Sequence, residues 1–204
     1  MILAIAGLES GYGSGYVSKI TGNILSLGAN KNDIQLPALT IPYCKTDKNK
    51  KALFDPKEQK KCQELIWKKR PKSLKKDYRP KNIAGKTTNL EFFKYNPNQF
   101  KKAKLQSVDD FLTKWLRENH KYAPFRETKL WLENKVAKEG IDTLFTLETN
   151  LEFASKIGGR DNSFNYRDTW PKKVKYILKK TGLTELCSTI YYKKVPFNIA
   201  WKQH

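Results

Sequence analysis

Glu9 is the residue whose setting in this chain suits it best to chemistry. It follows Met1 to Leu8, a run of small and apolar residues. Ile2, Leu3, Ile5, Ala6 and Leu8 suit a buried helix better than an exposed one. Gly11, Gly13 and Gly15 lie immediately beyond and predict the end of that helix in an open turn. A carboxylate delivered to the edge of a core loses part of its hydration. Its proton is then held to higher pH, as a general acid requires. The plainer alternative is a glutamate solvated on a helix surface.

Two blocks of sequence carry a family resemblance. Leu8-Glu9-Ser10-Gly11-Tyr12-Gly13-Ser14 resembles the L-E-S-G-W-G-x-S motif of the bacterial glucosaminidases, peptidoglycan hydrolases of lysozyme-like fold that include the Bax-like proteins. Tyr12 stands where that motif usually has Trp. Asn23-Ile24-Leu25-Ser26-Leu27-Gly28-Ala29 is similar to the family's second block, with Ser26 replacing a glycine. The resemblance implies that Glu9 is the catalytic acid. It also implies that Ser10 and Asn23 orient that acid or shape the turn, and that Tyr12 lines the substrate site.

A second carboxylate would act as base or nucleophile, and its distance from the first would set the stereochemistry. Residues 86–95 alternate in character and predict a strand. The family's T-T-E strand resembles Thr87-Thr88-Asn89, where asparagine replaces the acid. Glu91, two residues on, is the nearest carboxylate and the second catalytic candidate; Asp47 and Asp55 are weaker rivals. The N-acetyl group of the substrate is an alternative nucleophile.

The remaining elements follow from patterning. Asp33 to Pro42 reads as irregular or edge-strand structure. Asp55-Pro56 with Glu58 predicts a helix start, with Cys62, Leu65 and Ile66 as a buried stripe ending near Arg70. Ser107 is read as the cap of a helix running to Asn119, with Val108, Phe111, Leu112, Trp115 and Leu116 inward. Further helices are expected over 124–140, over 142–157 and from Asp168 to Gly182. Between the last two lies a glycine-rich loop, 158–166. In the family an equivalent loop holds a sugar-contacting aromatic, which makes Tyr166 a substrate-binding candidate with Phe164 behind it; a tyrosine simply packing the loop is the alternative. Arg160 and Asp161 are expected to pair on the surface. The apolar tail 184–204 is expected to dock as strand plus turn.

Charge is the outlier in composition. Forty basic residues against twenty acidic leave the 204-residue chain at a net +20, and residues 45–104 hold +14 of it. Such a field favours polyanions. Trp67, Tyr78, Phe92, Phe93 and Tyr95 interleave with these charges, so a nucleic-acid patch stands beside a solvated face and a clamp on anionic wall polymer. Cys44, Cys62 and Cys187 lack C-x-x-C spacing, which leaves three thiols or one bridge and a free thiol. His120 and His204 are the two histidines and form no cluster, so neither metal nor cofactor is expected. No run of 18 apolar residues predicts a membrane span. No signal peptide is recognisable, and the apolar start runs straight into the Glu9 motif, as in a trimmed chain.

Together these readings predict a mainly α (α+β) protein: a lysozyme-like domain over 1–183, a small β element beside the cleft, a basic insertion at 45–86 and a docked extension at 184–204. The implied activity is hydrolysis of β-1,4 glycosidic bonds in peptidoglycan, by a monomer in the periplasm or outside the cell. The competing expectation is a non-catalytic basic module that binds wall polymer or nucleic acid.

Overall fold

The computed structural model describes residues 1–28, 40–48, 53, 56–69 and 92–203. The protein is mainly helical with one small two-stranded antiparallel sheet. It divides into two compact units, residues 1–12 with 108–204, and residues 13–107.

The first unit opens with α1 (Ile2–Ser10). Ala4, Ile5 and Ala6 are completely buried, as expected of a helix apolar on every face. Gly11 closes α1 in the left-handed conformation, φ 53°, with its N–H donating to the Gly7 carbonyl. The chain re-enters this unit at the end of α5 (Pro97–Asp110), followed by a π-helical turn, Phe111–Trp115. Then come α6 (Ala123–Glu139), a 3₁₀ turn (Ile141–Phe145), α7 (Leu147–Ile157), α8 (Trp170–Thr181), α9 (Leu183–Lys193) and α10 (Phe197–Gln203). Helix α8 lies against both α1 and α7, and α7 also meets α6. Phe111, Phe125, Phe153, Ile157, Trp170, Val174 and Leu178 form the core between them.

The second unit contains α2 (Tyr16–Thr21), β1 (Thr40–Cys44), α3 (Pro56–Lys60), β2 (Leu65–Lys69), α4 (Phe92–Tyr95) and most of α5. Strands β1 and β2 pair antiparallel, with Pro42 opposite Trp67. A Cys44–Cys62 disulfide closes the connection end of this hairpin, and Cys187 is free. Gly22 ends α2 at φ 73°, where a Cβ would lie 2.2 Å from the Ala103 Cβ. Helix α2 therefore reaches α5 only because this residue has no side chain. Gly22→Ala is expected to lower unfolding free energy by about 2–4 kcal/mol, combining left-handed strain with overpacking. Gly140→Ala, at φ 84° and ψ 173° with open space around its Cβ position, is expected to cost about 1–3 kcal/mol from backbone strain alone. Urea melts of the two variants against wild type measure the difference.

Several sequence expectations are corrected. The helix begun at Pro56 ends at Lys60, and Leu65 and Ile66 belong to β2. The hairpin backbone uses these residues in place of a helical stripe, with the disulfide between Cys44 and Cys62 at its end. Phe92–Tyr95 is helical, not part of a strand, and Phe93 stacks on Phe100 at 4.9 Å. Ser107 caps nothing: α5 starts ten residues earlier at Pro97, and the buried Ser107 hydroxyl donates to the Lys104 carbonyl. Residues 142–157 are not one helix. Thr146 interrupts them and caps α7, its hydroxyl accepting from the Thr149 N–H. The tail forms α9 and α10 rather than a strand, and Tyr191 and Tyr192 of α9 pack on Phe145.

Candidate active site around Glu9

Glu9 occupies the last turn of α1, half-buried beside the start of α8. The Trp170 indole Nε1–H donates to Glu9 Oε1 at 2.7 Å. Trp170 is only 3% exposed, so its ring is held by the core and its N–H is aimed. What holds it is a close approach to the preceding helix end. A Cβ on Gly158 would fall 2.2 Å from Cε3 and 2.4 Å from Cζ3 of the indole, so the ring lies directly on glycine backbone. Gly159, at φ 83°, faces Pro171 in the same manner, with 2.7 Å to its Cγ. Phe164 completes the seat, 5.3 Å from the Trp170 ring and edge-on to Phe111 at 5.6 Å.

The loop between α7 and α8 supplies the second contact. The Gly159 N–H donates to the Asn165 carbonyl and the Phe164 N–H to the Ile157 carbonyl, both at 2.8 Å. The Arg167 N–H donates to Asn165 Oδ1 at 3.1 Å. The Asn165 side chain also hydrogen-bonds Glu9. Tyr166, between these two residues, is 67% exposed, with the Arg167 guanidinium 5.8 Å from its ring centroid.

Burial raises the Glu9 pKa above the ordinary carboxylate value, and it outweighs the opposing effects of the Trp170 bond, the Asn165 bond and the Arg167 charge. The folded state therefore holds this proton to a higher pH than the unfolded chain does. Its stability falls as pH rises from the unfolded value through the folded one, and the full cost is present above both. Glutamine at this position does not titrate. The Tm of Glu9→Gln relative to wild type is thus expected to rise as pH increases from the ordinary glutamate range of about pH 4, with the two curves running parallel below it. Thermal melts on both sides of that range check the sign.

The other candidate residues have different surroundings. Ser10 is buried and its hydroxyl donates back to the Ala6 carbonyl at 3.0 Å, within the helix. Asn23 is buried in the second unit. It donates to the Leu27 carbonyl and accepts from the Leu27 N–H, which fits it for shaping the turn at 23–27. Tyr12 is exposed and takes the left-handed conformation at φ 55°. Its ring folds over Gly7, where a Cβ would sit 2.7 Å from Cζ. Glu91 lies outside the described residues, as do Thr87, Thr88, Asn89 and Asp55. Arg160 pairs with Glu127 at 2.8 Å rather than with Asp161. His120 is buried among Trp115, Tyr122 and Phe125, and desolvation lowers its pKa. Among the described residues no group of three His, Cys, Asp or Glu side chains could hold a metal ion.

No family model matches this chain, and neither a curated protein nor a solved structure is similar to it. The site therefore has to be understood from its own residues. Trp170, Asn165 and Arg167 escaped the sequence reading. One signal was available for the first: a Gly158-Gly159 pair at a helix end, followed by Trp170-Pro171 at the next helix start, marks a close approach of backbone to a ring and a proline.

Proposed function

We propose that this protein is a glycoside hydrolase of the cell envelope, cutting β-1,4 bonds in peptidoglycan with Glu9 as general acid. The observation that carries the reading is the Glu9 carboxylate itself. Burial raises its pKa above the ordinary carboxylate value, yet it lies against an indole N–H at 2.7 Å. Burial favours the protonated acid before reaction. Trp170, Asn165 and Arg167 favour the carboxylate left once the proton has passed to the departing glycosidic oxygen. Burial outweighs the rest, so the net shift is upward, the direction a general acid requires.

The resemblance of Leu8 to Ser14 to the glucosaminidase motif supports the same reaction. The exposed rings of Tyr166 and Tyr12 supply faces on which a pyranose ring stacks. Glu91, a water or the substrate's N-acetyl group completes the displacement. The mainly helical fold with a small β hairpin is compatible with a lysozyme-like architecture. The Cys44–Cys62 bridge supports an oxidising location outside the cytoplasm. Among the described residues no helix is long and apolar enough to cross a membrane.

The test is loss of turbidity of purified peptidoglycan, with mass spectrometry of the products, for wild type and Glu9→Gln. The net charge of +20 favours a second reading, a non-catalytic module that binds an anionic polymer. Failure of both proteins to clear the wall, with binding retained, selects that reading.

A further inference from the structure

The unit that contains Glu9 has an uneven charge. Residues 1–12 and 108–204 hold eighteen Lys and Arg and thirteen Asp and Glu. Five of the eighteen are Lys172, Lys173, Lys175, Lys179 and Lys180, all on α8. The rest of the unit therefore balances, thirteen against thirteen, and its entire net charge of +5 lies on one helix of 12 residues.

Those five lysines lack the carboxylate partners that some other cations of the unit have. Lys114, Lys129, Lys135 and Lys156 each meet a carboxylate at i±4 on their own helical segment. Helix α8 contains no acidic residue, and its lysines make no ion pair among the described residues. The nearest acids in sequence, Asp168 and Glu185, lie beyond its two ends. The apolar side of α8 is fully used: Trp170, Val174 and Leu178 are buried. Its outer side presents Lys172, Lys173, Lys179 and Lys180 around Tyr176, which is 64% exposed. From Lys172 to Lys180 this row spans about 12 Å at 1.5 Å per residue. A row of unpaired cations at that spacing repels itself, and it gains most from a chain of regularly repeated anions. Because the apolar side is committed to the core, the helix has no face left with which to enter a lipid surface.

We propose that the outer face of α8 docks a linear phosphodiester polymer attached to the wall glycan, of the poly(alditol phosphate) type. The choice of polymer rests on the wall-hydrolase reading above. What joins the two is continuity: Trp170, the first residue of α8, holds Glu9, and the lysine row begins two residues later. A polymer lying along α8 is anchored in the same wall whose glycan would enter the Glu9 site.

The test is sedimentation of the full-length protein with purified walls, either intact or stripped of phosphodiester polymer by hydrofluoric acid. The variant changes Lys172, Lys173, Lys179 and Lys180 to Gln. A charge-matched control changes Lys101, Lys138, Lys193 and Lys202 to Gln; these four are exposed and lie on other helices. Wild type is expected to bind intact walls at least tenfold more tightly than stripped ones, with affinity falling as salt rises. The α8 variant should lose about tenfold on intact walls and nothing on stripped walls, and the control should lose less than about threefold. Equal losses in variant and control, or equal binding of wild type to both walls, overturn the proposal. Tighter binding to single-stranded DNA than to intact walls, lost in the α8 variant, also overturns it and assigns the face to nucleic acid. Lysis separates the two readings. If Glu9 has no role in clearing but α8 still directs wall binding, the docking face stands and the hydrolase reading falls.

Discussion

Glu9→Gln is expected to reduce clearing of purified peptidoglycan by about 10²–10⁴-fold, the usual contribution of a positioned general acid. The substitution keeps an oxygen for the Trp170 N–H and keeps the side-chain length, so the turn and the helix end are retained. What it removes is the transferable proton. In wild type, the alkaline limb of the pH–rate profile should report loss of that proton, at a pH above the ordinary carboxylate range because burial dominates at Glu9. Product masses identify the bond through the sugar left at the reducing end. Equal clearing by wild type and Glu9→Gln removes this residue from the mechanism.

Gly158→Ala is expected to cost about 3 kcal/mol of stability and to reduce clearing by about 10²-fold. The backbone at this position is extended, with φ −141°, so alanine introduces no local strain. The conflict is entirely with Trp170, whose ring carbons lie 2.2 and 2.4 Å from the new methyl position. These atoms belong to a buried ring packed on Phe164, not to the end of a flexible chain. The ring has to retreat by about 1 Å or more to reach ordinary contact distance, where a misplacement of that size is costly in a catalytic site. The 2.7 Å bond to Glu9 is lost in the retreat. Trp170→Phe separates the two effects, because it keeps most of the ring and removes the N–H. Since that bond lowers the Glu9 pKa, its removal should move the alkaline limb of the rate profile to higher pH. Denaturant melts and pH–rate profiles of both variants provide the measurements. Wild-type stability and activity in Gly158→Ala would mean that the indole is not held by this approach.

How much of this was legible in the sequence depends on the range of the forces involved. The helix that delivers Glu9 could be read from Ile2, Ile5 and Ala6 and from Gly11. Apolar spacing and a left-handed glycine act within a few residues of each other. The same holds for α6, bounded by Pro124 and Gly140, and for the end of α8 at Gly182. Errors came where a distant partner decided. Leu65 and Ile66 fit a helical stripe as well as a strand, and pairing with Tyr43 and Cys44 settled the matter. Phe93 fits an alternating pattern, but its ring found Phe100 along a helical path. Three cysteines allowed a bridge without specifying one, because proximity across 18 residues of sequence is a property of the folded hairpin.

The candidate site divides along the same line. The sequence by itself determined that a carboxylate would stand at the end of an apolar helix, before an open turn. The tertiary structure decided what meets that carboxylate. Trp170 is 161 residues away along the chain, and nothing local in either segment names the other. Their meeting depends on α1 packing against α8 and on the absence of a side chain at Gly158, which lets the indole sit on the backbone. Desolvation of Glu9 is likewise a property of the folded chain, in which α1 packs against α8. It exists only once those elements have excluded water together.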